Sequence, residues 1–389
     1  MLFLSLLVIS LITETEAVTL INADTGAILY EKNAHMPWDP ASTTKVATCI
    51  YALSTQPNMN QVVTGNQECI GIVSEKERLK RGYAEPAWRL EKAACHMGIK
   101  VGEKMTLRDL FNGMMVASAD DASNLIAETI SGSIPKFMEE LNDYLKKIGC
   151  HETTLANPHG LFYPTQKSTA HDLAKLTQVA LKDPYFCAFV RAKEFMRPKT
   201  NMQESTKYLQ TNRLLRTGKY HYPYAIGVKT GWFTDCGYNL IAAAEKDGRK
   251  LIAVLLGSPN SDTRFKEAIA LFEAAYAEKP VKVEVLKAGR QETPLPSPLS
   301  EEKAFLVTAS PLFFETYLSD KESYQLTFEW IDEQHGKYSV VDDKGKIRNE
   351  TFATVEEWLK EKKPFPWIWL SILLLLPFLY FLLRKNKLR

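Results

Sequence analysis

Charge imbalance is what this chain of 389 residues has least of. Its 48 lysines and arginines face 46 aspartates and glutamates, for a formal net charge of +2. Without a basic surplus there is no electrostatic footprint for a nucleic-acid partner. Cysteine is sparse too. Cys49, Cys69, Cys95, Cys150, Cys187 and Cys236 include no Cys-x-x-Cys pair. No histidine stands in a His-x-x-x-His spacing with a glutamate. Both absences argue against a metal site, and no cofactor is expected. There is no internal repeat and no low-complexity tract, which argues against a solenoid or an extended linker.

Apolar residues are plentiful, at 45% of the chain, and both ends carry uncharged runs. Leu2 to Ile12, followed by Thr13-Glu14-Thr15-Glu16-Ala17, has the length of a signal-peptide core with a cleavage point at Ala17. It lacks a basic leader, so an uncleaved anchor or a buried first strand stays open, and residues 1–17 are read as the signal peptide. Phe365 to Leu383 is 19 residues without a charge, enough for one transmembrane helix at about 1.5 Å per residue. Arg384, Lys385, Lys387 and Arg389 follow it and would stay cytoplasmic by the positive-inside rule. Residues 364–389 are therefore expected to be a membrane anchor with a basic tail. The body of the protein would lie on the outer face of the cytoplasmic membrane.

Between these ends the texture changes once, after Lys279-Pro280. Before it, Val18 to Ala23 and Ala27 to Glu31 predict a hairpin across Asp24-Thr25-Gly26. Val46, Ala47, Cys49, Ile50, Ala52 and Leu53 predict a buried helix. Residues 66–97 are charged and irregular, and Glu75 to Arg81 reads as solvated surface. Cys69 and Cys95 bracket that segment; in an oxidising compartment they would pair, closing a loop worth roughly 3 kcal/mol. Helices are predicted from Thr106 to Met115, from Ala122 to Ile130 and after a Thr169 cap. Ala225 to Gly231 predicts a strand, Tyr238 to Ala244 and Arg249 to Gly257 a second hairpin, and Arg264 to Ala277 a closing helix. Hairpins at both ends with helices between imply an α+β fold, one antiparallel sheet covered by helices, over 18–278. Residues 279–363 predict a small β-rich domain.

Chemistry concentrates in the first of these. Ser42 lies just after Pro40, at the start of the buried helix, and Lys45 one turn on. A serine hydroxyl is a poor nucleophile unless a base lies within hydrogen-bond reach. A lysine serves only when part of it is neutral, and burial or a second cation favours that form. Ser-x-x-Lys alone carries little information, because Ser300-Glu301-Glu302-Lys303 repeats it in a charged loop. Partners elsewhere raise its weight. His159, in the turn Asn157-Pro158-His159-Gly160-Leu161, and His171, beside the Thr169 cap, read as structural.

Three elements stand in chain order: Ser42-Thr43-Thr44-Lys45, Ser118-Ala119-Asp120 and Lys229-Thr230-Gly231. With asparagine in place of Asp120, this set resembles that of penicillin-binding proteins and class A β-lactamases. Taken with Pro40-Ala41-Ser42, Gly102-Glu103-Lys104, Thr211-Asn212-Arg213-Leu214-Leu215 and Gly227-Val228-Lys229, the chain resembles the serine D-alanyl-D-alanine carboxypeptidases. That resemblance implies a β-lactamase/DD-peptidase-like fold. It implies a peptidoglycan stem peptide ending in D-Ala-D-Ala as substrate and β-lactams as covalent inhibitors. It casts Ser42 as nucleophile, Lys45 as base and Ser118 as proton relay. Lys229 would supply positive potential. Thr230 and Arg264 would hold the terminal carboxylate, Asp120 would face the substrate, and the N–H groups of Ser42 and Trp232 would form the oxyanion hole. A β-lactamase is the alternative, although Glu152 and Asn157 do not have the Glu-x-x-x-Asn spacing of its deacylating loop. A non-catalytic wall-binding protein retaining the fold is another, left open by Asp120.

Overall fold

The computed structural model describes residues 13–297, 302–320, 322–342 and 344–359. The two apolar end runs, 2–12 and 365–383, and Ser300 of the second Ser-x-x-Lys lie outside the described residues. Among the described residues no helix is long and apolar enough to cross a membrane.

Two compact units appear. One runs to Pro280 and takes in the short segment Tyr317–Asp320; the other holds Val281–Thr316 and the chain from Glu322 on. In the first unit, strands β1 (Ala17–Asn22), β2 (Ile28–Lys32), β3 (Ala225–Phe233), β4 (Gly237–Lys246) and β5 (Arg249–Ser258) form one sheet in the order β2-β1-β5-β4-β3. Every pairing in it is antiparallel. The first strand thus joins the first hairpin to the last, and β2 and β3 are left as the edges.

Side-chain alternation explains why both faces of this sheet are covered. Val18 and Leu20 of β1, with Leu251, Ala253 and Leu255 of β5, point to one side. There Phe265, Leu271 and Phe272 of helix α7 (Ser261–Tyr276) cover them. Ile21 of β1 and Ile252, Val254 and Leu256 of β5 face the opposite layer. That layer contains α1 (Lys45–Ser54), α2 (Leu107–Val116), α3 (Asp120–Ser131), α4 (Ile134–Lys147), α5 (Ala170–Ala180) and α6 (Pro184–Arg191). Helix α1 is buried on nearly every side, Lys45 included. Each fully buried Val, Ile or Leu contributes about 1.5–3 kcal/mol, so Val46, Ile50 and Leu53 anchor α1 within the helical layer.

Helix ends follow side-chain capping. Thr106 accepts from Asp109 N at 3.1 Å, Thr169 from Asp172 N at 3.1 Å, and Asn260 from Thr263 N at 2.9 Å. The helix after Pro40 opens differently. Ala41–Thr44 is a 3₁₀ turn, and the α-helix proper starts at Lys45.

Two expectations for residues 66–97 need correction. Arg78, in the run read as solvated, is only 3% exposed. Its guanidinium holds the Arg89 carbonyl and lies 3.3 Å from Glu91, so the charged run is folded onto its own loop. Cys69 and Cys95 are both free thiols. The Asn66 cap takes Cys69 N at 3.0 Å and starts a short helix that turns the Cys69 side chain into the core, while Cys95 is exposed.

In the second unit, Val281–Leu286 pairs with Leu312–Thr316. A further sheet runs Gly289–Arg290, Lys303–Thr308, Ile347–Leu359, His335–Asp342, Tyr324–Trp330. Ala304, Leu306, Leu312, Phe314 and Val340 form its core. Ile347–Leu359 carries too many polar residues on its open face to read as a strand from sequence.

Candidate active site

The site forms where the 3₁₀ turn, the start of α3 and edge strand β3 converge. Ser42 sits in the turn. The segment entering it is pinned from three sides: Trp38 N donates to Ser168 O at 2.8 Å, Asn239 Nδ2 to Asp39 O at 2.9 Å, and Ala41 N to Asp39 Oδ1 at 2.8 Å. Ala41, immediately before Ser42, has φ +47°, and Ser118 has φ +61°. Both are non-glycine residues in the left-handed region, a strain that persists only where surrounding contacts impose it. Sequence patterns carry no sign of it.

Lys45 is fully buried one turn beyond Ser42. Its Nζ donates to Ser42 Oγ at 3.0 Å, to Asp120 Oδ1 at 2.6 Å and to His159 O at 2.6 Å. Across the site Lys229, also fully buried, donates to Ser118 Oγ and to Thr230 O, each at 2.9 Å. Burial and the nearby Lys45 charge hold Lys229 down at about 7. Burial pushes the Asp120 carboxyl up, against the pull of Lys45. His159 is held well below the usual histidine range by burial, and then by Lys45. It is therefore neutral at physiological pH, and its contribution to the site is its carbonyl oxygen.

Strand β3 passes close to the nucleophile. A Cβ on Gly231 would stand 3.0 Å from Pro40 O and 3.2 Å from Ser42 N. Glycine leaves room for that approach, where a side chain would force a neighbour to give way. Thr230 Oγ1 donates to Thr211 Oγ1 at 2.8 Å, and the Trp232 side chain is 57% exposed. Arg264 lies behind the strand, with Nη1 donating to Gly231 O and Asn239 O, both at 2.9 Å. Burial brings it down to about 10, so it stays charged.

The structure therefore brings Ser42, Lys45, Ser118, Asp120, Lys229 and Thr230 to one place, with Trp232 next in line on β3 and Arg264 beneath it. Asp39, Thr211 and the His159 carbonyl were missed as site groups. Thr211 and His159 stand in phrases already singled out in the sequence. Asp39, which burial pushes up to about 6, left no signal. Glu152 binds His35 Nδ1 at 2.6 Å on the surface, and Asn157 Oδ1 accepts from Gly160 N at 2.7 Å. Neither side chain is arranged as a deacylating pair.

The profile of the D-alanyl-D-alanine carboxypeptidases matches residues 10–260. The chain belongs to this family. Among its curated relatives, D-alanyl-D-alanine carboxypeptidase DacF of Bacillus subtilis is 29% identical over 270 residues, covering 68% of this chain and 63% of the relative. D-alanyl-D-alanine carboxypeptidase DacC of Escherichia coli is 32% identical over 256 residues, covering 66% of this chain and 59% of the relative. This carboxypeptidase-family chain thus spans about six-tenths of the length of the curated relatives it matches. Among solved structures, a Streptomyces DD-transpeptidase superposes with a TM-score of 0.59 at 26% identity, covering 69% of this chain and 98% of the other. The α+β DD-peptidase-like fold, with its β-rich second region, is the fold of this carboxypeptidase-family chain.

Proposed function

We propose that this protein is a serine D-alanyl-D-alanine carboxypeptidase that removes the terminal D-alanine from peptidoglycan stem peptides through an acyl-enzyme. The observation that carries the reading is Lys45 Nζ at 3.0 Å from Ser42 Oγ, inside a site whose second lysine, Lys229, holds Ser118 Oγ at 2.9 Å. Ser42 attacks the carbonyl of the penultimate residue as Lys45 takes its proton. Ser118 passes a proton to the leaving amine. The backbone N–H groups of Ser42 and Trp232 stabilise the oxyanion. Thr230 receives the substrate carboxylate, with the charge of Lys229 beside it and Arg264 behind the strand. Water then releases the shortened peptide.

β-Lactams present a similar carbonyl and carboxylate and would be trapped on Ser42. Intact mass after incubation with a penicillin tests this, alongside an assay for D-alanine release. Wild type gains one adduct and Ser42→Ala gains none; a wild-type protein that never gains the adduct mass rejects the enzymatic reading. An adduct lost within milliseconds would instead favour a β-lactamase.

The placement of the protein is part of the same proposal. The uncharged run 365–383 with its basic tail supports a membrane anchor, and the run 2–12 supports export. Deleting the chain from Phe365 onward should release a soluble, still acylatable protein. Continued sedimentation with membranes after an alkaline carbonate wash would assign the anchor to the N-terminal run.

A further inference from the structure

As an ammonium, Lys45 is no base. An ammonium has three donors and no acceptor, and all three are engaged, on Ser42 Oγ, His159 O and Asp120 Oδ1. Before it can receive the Ser42 proton it must lose one. A hydroxyl and a backbone carbonyl are poor sinks for that proton. The third partner is a carboxylate, 2.6 Å away, and both side chains are shut off from solvent.

We propose that Asp120 is the proton acceptor that turns Lys45 into a base, the two side chains sharing one proton throughout acylation. The proposal rests on the carboxypeptidase reading above. In the resting pair Lys45 is an ammonium and Asp120 a carboxylate. One Nζ–H proton moves to Oδ1, giving a neutral amine beside a neutral carboxylic acid. The Ser42 hydroxyl proton then moves to Nζ as the Oγ–C bond forms and the carbonyl π pair moves onto oxygen. When the oxyanion collapses, the scissile C–N bond breaks and the leaving nitrogen takes a proton from Lys45 by way of Ser118. Asp120 returns its proton to Nζ and the resting pair is restored. The net transfer is one proton from Ser42 to the leaving amine. No charge crosses into solvent at any step. The protonated carboxyl also carries an O–H that can donate to the substrate, as an amide N–H would.

The signature is a titration. Asp120 is faced by Lys45 of α1, Lys229 of β3, Glu91 and His96 of the preceding loop and Asp121 of its own helix. Asp121 is occupied by Met97 N and Ile99 N, each at 3.0 Å. The first proton to leave a coupled pair departs at or below the pH at which either member alone would release it. If one lost proton suffices for activity, the acid limb of the wild-type profile lies below that of a protein in which Lys45 must deprotonate alone. If instead the carboxylate only held Lys45 protonated, removing it would move the acid limb down.

The test is the rate of acylation by a fluorescent penicillin against pH, for wild type, Asp120→Asn and Asp120→Ala. Asparagine is isosteric, and alanine provides a second protein with no proton acceptor. Both variants should show an acid limb displaced upward by about one pH unit or more. A limb that stays in place, or moves down in either variant, overturns the shared proton. If no protein is acylated at any pH and Ser42→Ala matches wild type, the carboxypeptidase reading itself has failed.

Discussion

Lys229 Nζ lies 2.9 Å from Ser118 Oγ, and the two residues are 111 positions apart in the chain. The pair mirrors Lys45 and Ser42, three positions apart and 3.0 Å between the same atoms. Two buried lysines thus each hold a serine hydroxyl in one cleft. Like charges so placed disfavour double protonation, and Lys229 is the one held down to about 7.

That value predicts a stability signature. An unfolded lysine titrates at about 10.4. Between about 7 and that value the unfolded chain binds a proton that the folded Lys229 does not, so stability rises with pH there, falls as pH drops toward about 7 and levels off below it. Below the folded value both states are protonated and the burial penalty is present in full. Lys229→Met has no such proton. Urea melts from about pH 6 to about pH 10 should show wild type gaining on the variant as pH rises, by at most about 1.4 kcal/mol per unit. A difference independent of pH would reject the assignment.

Gly160 supports the nucleophile from behind. Its φ is +92°, and a Cβ there would stand 1.9 Å from Ala41 O. Gly132, with φ +81° and open space around it, is the control. Gly132→Ala should lose about 1–2 kcal/mol and keep its acylation rate. Gly160→Ala must also displace the turn carrying Ser42, and should lose roughly 100-fold in acylation. Equal rates for the two variants would show that the turn tolerates the displacement.

Arg197 and Glu103 form a second fully buried ion pair, at 3.1 Å. Thr200 and Gln203 also bond Glu103, at 2.6 Å and 2.7 Å. Removing one partner of such a pair leaves an uncompensated charge, at a cost of about 3–5 kcal/mol. Arg197→Met should lose that much in chemical denaturation, and the double variant Arg197→Met/Glu103→Leu should lose less than the two single variants summed. Strict additivity would mean that the two side chains act independently.

The cysteines give a prediction opposite to their spacing. Cys69 is buried and Cys95 exposed, and both are free. A thiol reagent applied to the native protein should label Cys95 and leave Cys69 unmodified until unfolding. Peptide mapping without reductant that recovers a peptide bridged between them would overturn this.

The pieces are legible in the chain alone. Alternation in Val18–Asn22 and Arg249–Gly257, caps such as Thr169 and the apolar stripes of the helices are local patterns, set by backbone periodicity and legible without a fold. The order of Ser42-x-x-Lys45, Ser118-x-Asp120 and Lys229-Thr230-Gly231 was equally legible. What those residues do to one another was decided only by tertiary structure. Pairing β1 with β5 joins the two hairpins into one sheet and leaves β3 at an edge, where Gly231 meets Ser42. Lys45 and Asp120, 75 positions apart, come to 2.6 Å. The burial of Arg78, against its charged neighbourhood, and the separate fates of Cys69 and Cys95 were settled in the same way. A charge state depends on the solvent it has lost and the charges it has gained, and both are fixed only when distant parts of the chain meet.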